Sequence, residues 1–145
     1  MRVKGSYRFK ADRERVWESL QDPDVLAGCI PGCEGFRPAG EDTYEVELKI
    51  GVGPIVGAYT GRISMSEKLP LDSYKLVVEG DGSMGTALGE AVFRLSECDG
   101  ETTVEVEADA QVTGVVARVG QRFMSSASKM LMNQFFDCMK SRIEG

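Results

Sequence analysis

A chain of 145 residues with 42% hydrophobic and 28% charged content fits one globular domain, residues 1–145, that buries about 70% of its unfolded surface. Its net charge of −6 leaves no basic stripe to neutralise phosphates, which excludes nucleic acid as a partner. The absence of histidine removes Ser-His and Cys-His nucleophiles together with the commonest acid–base group at neutral pH.

The opening MRVKGSYRFK lacks the apolar run of a secretion signal, so a cytosolic location is expected. From 3 to 9, Val3, Gly5, Tyr7 and Phe9 alternate with Lys4, Ser6 and Arg8, the period of a half-buried strand. Asp12 then suits the N-cap of a helix whose apolar face is Val16, Trp17 and Leu20. A second short helix starts at Asp22 with Pro23 in its first position and ends at Gly28, before an Ile30-Pro31-Gly32 loop.

From about residue 34 strands follow one another with Gly, Pro and Asp at each join. Tyr44, Val46, Leu48 and Ile50 share a face; Gly51-Val52-Gly53-Pro54 turns the chain; Ile55, Gly57, Tyr59, Gly61 and Ile63 share the next. Tyr74, Leu76 and Val78, then Ala91, Phe93 and Leu95, then Val104 to Val112 complete an antiparallel meander. The period changes to 3.6 over Val115 to Arg142, a long helix with Val116, Val119, Gly120, Phe123, Ala127, Met130, Leu131, Gln134 and Cys138 on one stripe. Arg118, Arg122, Lys129 and Lys140 lie opposite. The expected fold class is therefore α+β: a curved antiparallel sheet of about seven strands around a long C-terminal helix, with two short helices after the first strand.

Gly5, Gly57, Gly61, Gly89, Ala91, Ala108 and Ala110 put little volume on the inward face, so either the helix lies close there or the space stays open as a cavity. Gln134, amid the apolar stripe, needs a partner, either the carbonyl of a ligand or a group of the protein. The segment 115–145 holds five basic and two acidic residues, +3 against −9 for the rest, and its basic side faces either solvent, an acidic partner or an anionic surface. Cys29, Cys33, Cys98 and Cys138 are expected as reduced thiols, and no metal-ligand spacing is present.

The adjoining motifs VWESLQDPDVLAGCIPGCEGF, GVGPIVGAYTGRI, EGDGSMGTALGEA, VEVEADAQVTGVVARVGQR and NQFF together resemble the carbon monoxide dehydrogenase G-subunit family, of the START-like (SRPBCC) helix-grip superfamily. The resemblance spans nearly the whole chain. It implies a cavity between sheet and terminal helix and a non-catalytic accessory role beside molybdenum hydroxylases, with a quinone- or lipid-like small molecule as ligand and no cofactor of its own. Members often continue into a membrane-reaching tail, whereas this chain stops at Ile143-Glu144-Gly145, so membrane contact is expected to be at most peripheral, at the inner face.

The expected ligand-binding residues are Tyr59, Gly61, Phe93, Phe123, Ala127, Met130 and Gln134, and the expected partner-docking residues are Ile30, Pro31, Arg118, Arg122 and Lys129. No catalytic or metal-ligating residue is assigned. The alternatives are a START-like enzyme of cyclase or dehydratase type, using a buried carboxylate, Tyr59 or Cys138, and a pure protein-docking module.

Overall fold

Alternation from Val3 to Phe9 produces β1 (Arg2–Phe9), followed by α1 (Arg13–Gln21) and α2 (Pro23–Cys29). The carboxylate of Asp12 accepts the Arg15 N–H at 2.9 Å to start α1, and that of Asp22 accepts the Asp24 N–H at 2.9 Å to start α2. Six strands come next: β2 (Cys33–Gly40), β3 (Thr43–Val52), β4 (Ile55–Leu69), β5 (Ser73–Gly82), β6 (Gly85–Cys98) and β7 (Glu101–Val112). A 3₁₀ turn (Gly114–Val119) and α3 (Gln121–Glu144) complete the chain. This computed structural model describes residues 1–53 and 55–145, and only the backbone of Ile55, Val115, Val116, Val119 and Gln121. The turn expected at Pro54 and the inward placements of Ile55, Val116 and Val119 lie outside the described residues.

All strands pair antiparallel in one seven-stranded sheet of order β1-β7-β6-β5-β4-β3-β2. The register brings Val46 opposite Gly61, Tyr59 opposite Gly82, Phe93 opposite Val106 and Val3 opposite Ala108. Period-two side chains therefore form one continuous inner face, onto which α3 packs.

The long helix departs from expectation in start and in phase. Gly120 adopts φ +96°, which separates the 3₁₀ turn from α3. Three valines within Val115–Val119 lower helix propensity there, and the two flanking glycines interrupt what the apolar pattern joined. With the helix starting at Gln121, its buried residues are Met124, Ala127, Phe136, Met139 and Ile143. Met130 is 41% exposed and Gln134 is exposed, while Phe136, which the expected stripe leaves out, is 2% exposed.

The inner space divides along α3. Around its second half the core is solid: Phe136 stacks on Tyr7 at 4.0 Å between ring centres and meets Phe9 and Phe93 at 6.1 Å, and Phe93 stacks on Tyr74 at 4.8 Å. Val16 and Leu20 of α1 are fully buried against this cluster. Around the first half, Met124 and Ala127 face Ile50, Val52, Tyr59 and Val112 in a second, thinner cluster.

Cys29 and Cys138 form a disulfide with Cα atoms 5.3 Å apart, which corrects the expectation of four reduced thiols. The reason is three-dimensional: α2 packs on α3, so residues 109 apart in sequence meet, while Cys33 and Cys98 remain free. A cross-link over that separation stabilises by about 4.8 kcal/mol in the chain-entropy treatment.

Candidate functional site

Where the thinner cluster faces the sheet, a cavity of 230 Å³ remains open. Leu48, Ile50 and Val52 of β3, Tyr59 of β4 and Val78 and Gly80 of β5 form one wall. Gly85, Thr86 and Ala87 of β6 with Ala110 and Val112 of β7 form the next, and Met1 closes a corner. Met124, Ala127, Ser128 and Leu131 of α3 make the roof. These residues cannot span the distance of about 8–10 Å at which packed elements stand, because five of them are glycine or alanine. The space exceeds the roughly 150 Å³ apolar cavity that admits a benzene-sized ring.

Among the described residues the lining carries no Asp, Glu, Lys, Arg or Cys side chain. Its one buried orphan is the Tyr59 hydroxyl, which finds no hydrogen-bond partner among the described residues. Gly82 seats the ring: a Cβ there would fall 2.5 Å from Tyr59 Cδ1, so a side chain at 82 would displace the tyrosine. Phe123 rests on the β3–β4 turn, where a Cβ on Gly53 (φ +55°) would meet Phe123 Cζ at 2.7 Å. The β5–β6 turn closes similarly, since a Cβ on Gly85 would collide with the Thr113 carbonyl.

Of the seven residues expected to bind a ligand, Tyr59 and Ala127 line this cavity. Phe123 packs against the same cluster. Phe93 is instead locked in the solid core by Tyr74 and Phe136. At Gly61 a Cβ would approach the Glu79 carbonyl to 2.9 Å, so its missing side chain serves close strand packing, not open space. Met130 and Gln134 lie on the outer side of α3, as the shifted phase requires. Leu48, Val78 and Gly80 are absent from the expected ligand-binding residues, although Leu48 and Val78 share the face of Ile50 and Leu76 and Gly80 continues that parity.

The five docking candidates do not form one patch. Arg118 and Arg122 are exposed at the cavity end of α3, whereas Ile30 and Pro31 border Cys138, about 24 Å along the axis from Arg122. Lys129, expected on the free basic face, donates to the Lys4 carbonyl and sits 5.6 Å above the Tyr7 ring, which ties α3 to β1. The Tyr7 hydroxyl donates to Asn133 Oδ1 at 2.7 Å, and burial, with the Asp137 charge second, raises its pKa. Among the described residues no group of three or more acidic or cysteine side chains is arranged to hold a metal, and no helix is long and apolar enough to cross a membrane.

A crystal structure of a conserved protein from Geobacillus kaustophilus is 34% identical, covers 99% of this chain and 95% of that one, and superposes with a TM-score of 0.97. A START superfamily protein from Mycobacterium smegmatis matches at 11% identity and TM-score 0.75, covering 99% and 97%. The Zhui aromatase/cyclase from a Streptomyces species matches at 14% identity and TM-score 0.70, covering 99% and 93%. The last two likenesses establish the START-like helix-grip fold. No curated protein sequence matches the chain. Residues 5–144 match the carbon monoxide dehydrogenase G-subunit (CoxG) family, and the chain belongs to that family.

Proposed function

We propose that this protein binds an apolar small molecule, quinone- or lipid-like, in the cavity under the first half of α3, and serves as a non-catalytic accessory protein to a molybdenum hydroxylase of the carbon monoxide dehydrogenase type. The observation that carries the reading is the 230 Å³ space walled mainly by apolar groups, with the buried Tyr59 hydroxyl lacking a partner among the described residues. Burying an uncharged ring there gains hydrophobic free energy, and a carbonyl on it relieves the orphan donor. General acid–base chemistry has no paired carboxylates, lysine or cysteine to run on within this lining, which favours carriage over turnover. The family's name supplies the partner class, and Arg118 and Arg122 are the docking candidates because they are exposed at the cavity end. One domain over 1–145, with cytoplasmic location and at most peripheral membrane contact, belongs to the same reading.

The test is native mass spectrometry and solvent extraction of protein purified without detergent, beside Ala127→Phe, which places a ring in the roof. Expected is an apolar molecule in near-stoichiometric amount, or uptake of added naphthoquinone, lost in the variant. Equal uptake by a folded Ala127→Phe protein would overturn the assignment of the cavity.

A further inference from the structure

Outside the apolar cavity, a surface concavity of 430 Å³ opens between α2, the start of β2 and the second half of α3. It is lined by Cys29, Cys33 and Cys138 together with Ile30, Lys49 and Gln134. Three of the four cysteines thus border one space: the two of the disulfide and one free thiol.

Backbone geometry holds Cys33 there. Its N–H bonds the Ile30 carbonyl at 3.2 Å, closing a turn that carries the chain back beside α2. Gly32, at φ +74°, passes so near β3 that a Cβ would lie 2.3 Å from the Lys49 carbonyl, so the turn needs glycine at that point. The Cys33 thiol donates to the Gly35 carbonyl at 3.4 Å and is half-buried, as is Cys138. A free thiol, a disulfide and a path for a small thiol are the components of exchange chemistry, which runs through the Cys33 thiolate formed as pH rises.

We propose that this concavity is a thiol–disulfide exchange site in which Cys33 is the attacking thiol. Cys33 gives its proton to water, and its sulfur forms a bond to one sulfur of the Cys29–Cys138 pair. The original S–S bond breaks, and the other cysteine leaves as a thiolate that takes up a proton. One disulfide and one thiol remain, so the step needs no oxidant. Attack on Cys29 unlinks α2 from α3; attack on Cys138 moves the link to β2. A monothiol of the glutathione class catalyses the same change by opening the disulfide first and being displaced by Cys33.

The experiment uses the full chain carrying Cys98→Ser, so that only these three sulfurs report. The protein is held anaerobically with reduced glutathione, quenched in acid and alkylated, and its disulfides are mapped by peptide mass spectrometry. Expected is a population with Cys33 in a disulfide and Cys29 or Cys138 alkylated. Adding Cys33→Ser abolishes that population and raises the trapped glutathione adduct about tenfold, because the internal thiol no longer competes at high effective concentration. The proposal is overturned if Cys33 is alkylated in every chain and the adduct level is the same with and without it. Should Cys33→Ser fold poorly, Cys33→Ala replaces it, and the pairing map of the chain that retains Cys33 decides alone.

Discussion

Replacing Tyr59 by Phe should move stability and affinity in opposite directions. The hydroxyl is buried and has no partner among the described residues, a condition that costs about 1–3 kcal/mol in desolvation. Phenylalanine keeps the ring on Gly82 and removes that cost. Allowing for imperfect relief, the variant should gain about 1 kcal/mol, or about 2–4 °C in Tm for a chain of this size. A ligand carbonyl, however, loses a hydrogen bond worth about 1–1.5 kcal/mol, so affinity for naphthoquinone should fall roughly five- to tenfold. Naphthalene, of similar shape and without an acceptor, should bind the variant at least as well as the parent. Calorimetric melting of both proteins, alone and with each compound, reads all four quantities. A variant that melts lower than the parent would mean that the hydroxyl already has a partner, and an equal loss of affinity for both compounds would mean that it does not address the ligand.

Breaking the Cys29–Cys138 bond with excess dithiol should lower Tm by about 10–20 °C, from the loop-entropy value of about 4.8 kcal/mol; an unchanged Tm in scanning calorimetry would remove the cross-link from the stability account. Burial raises the pKa of the Cys33 thiol, so its thiolate forms only at higher pH than in an unfolded chain. The rate of iodoacetamide alkylation at Cys33, followed by mass spectrometry, should therefore reach half its plateau at a higher pH in the folded protein than in urea. Leu71 holds φ +72° in a turn closed by the Asp72 N–H to the Leu69 carbonyl at 2.8 Å. Leu71→Gly relieves about 1–2 kcal/mol of backbone strain against about 0.4–1 kcal/mol of added unfolded-state entropy, a net gain of about 0.5–1 kcal/mol measurable by urea unfolding.

The pairing of consecutive strands from β3 to β7 was legible because each carries its own two-residue period and each join its own turn chemistry; β7, where Val104 to Val112 alternate with Glu105, Glu107, Asp109 and Gln111, is the plainest case, whereas the irregular β2 and the place of β1 beside β7 were not in any local pattern. The end of the cavity was half legible. Ala110 and Ala127 mark it, but Gly5 and Gly61 looked identical in sequence and are filled instead, by the Tyr7 ring and by the Glu79 carbonyl. Whether a missing side chain leaves room depends on what stands opposite, and a periodic pattern does not contain that. The phase of α3 was misread for a local reason: one left-handed glycine at 120 reset a wheel counted from Val116. The Cys29–Cys138 pair was illegible in principle, since helix against helix brings together what 109 residues separate.

That division along α3 separates the two demands on the fold. Phe136, Met139 and Ile143 meet Phe9, Leu20 and Phe93, a well-filled core in which truncating one ring costs about 3–5 kcal/mol. Met124 and Ala127, about two and a half to five turns earlier on the same helix, meet glycine and alanine and leave a void. An unfilled void forfeits dispersion contacts on every wall, a loss the solid end and the disulfide offset. Because helix and sheet are anchored at the far end, contacts at the hollow end can change while the core beneath Phe136 stays packed; Arg122 is exposed in the first turn of α3 at that hollow end, and Arg118 in the 3₁₀ turn before it.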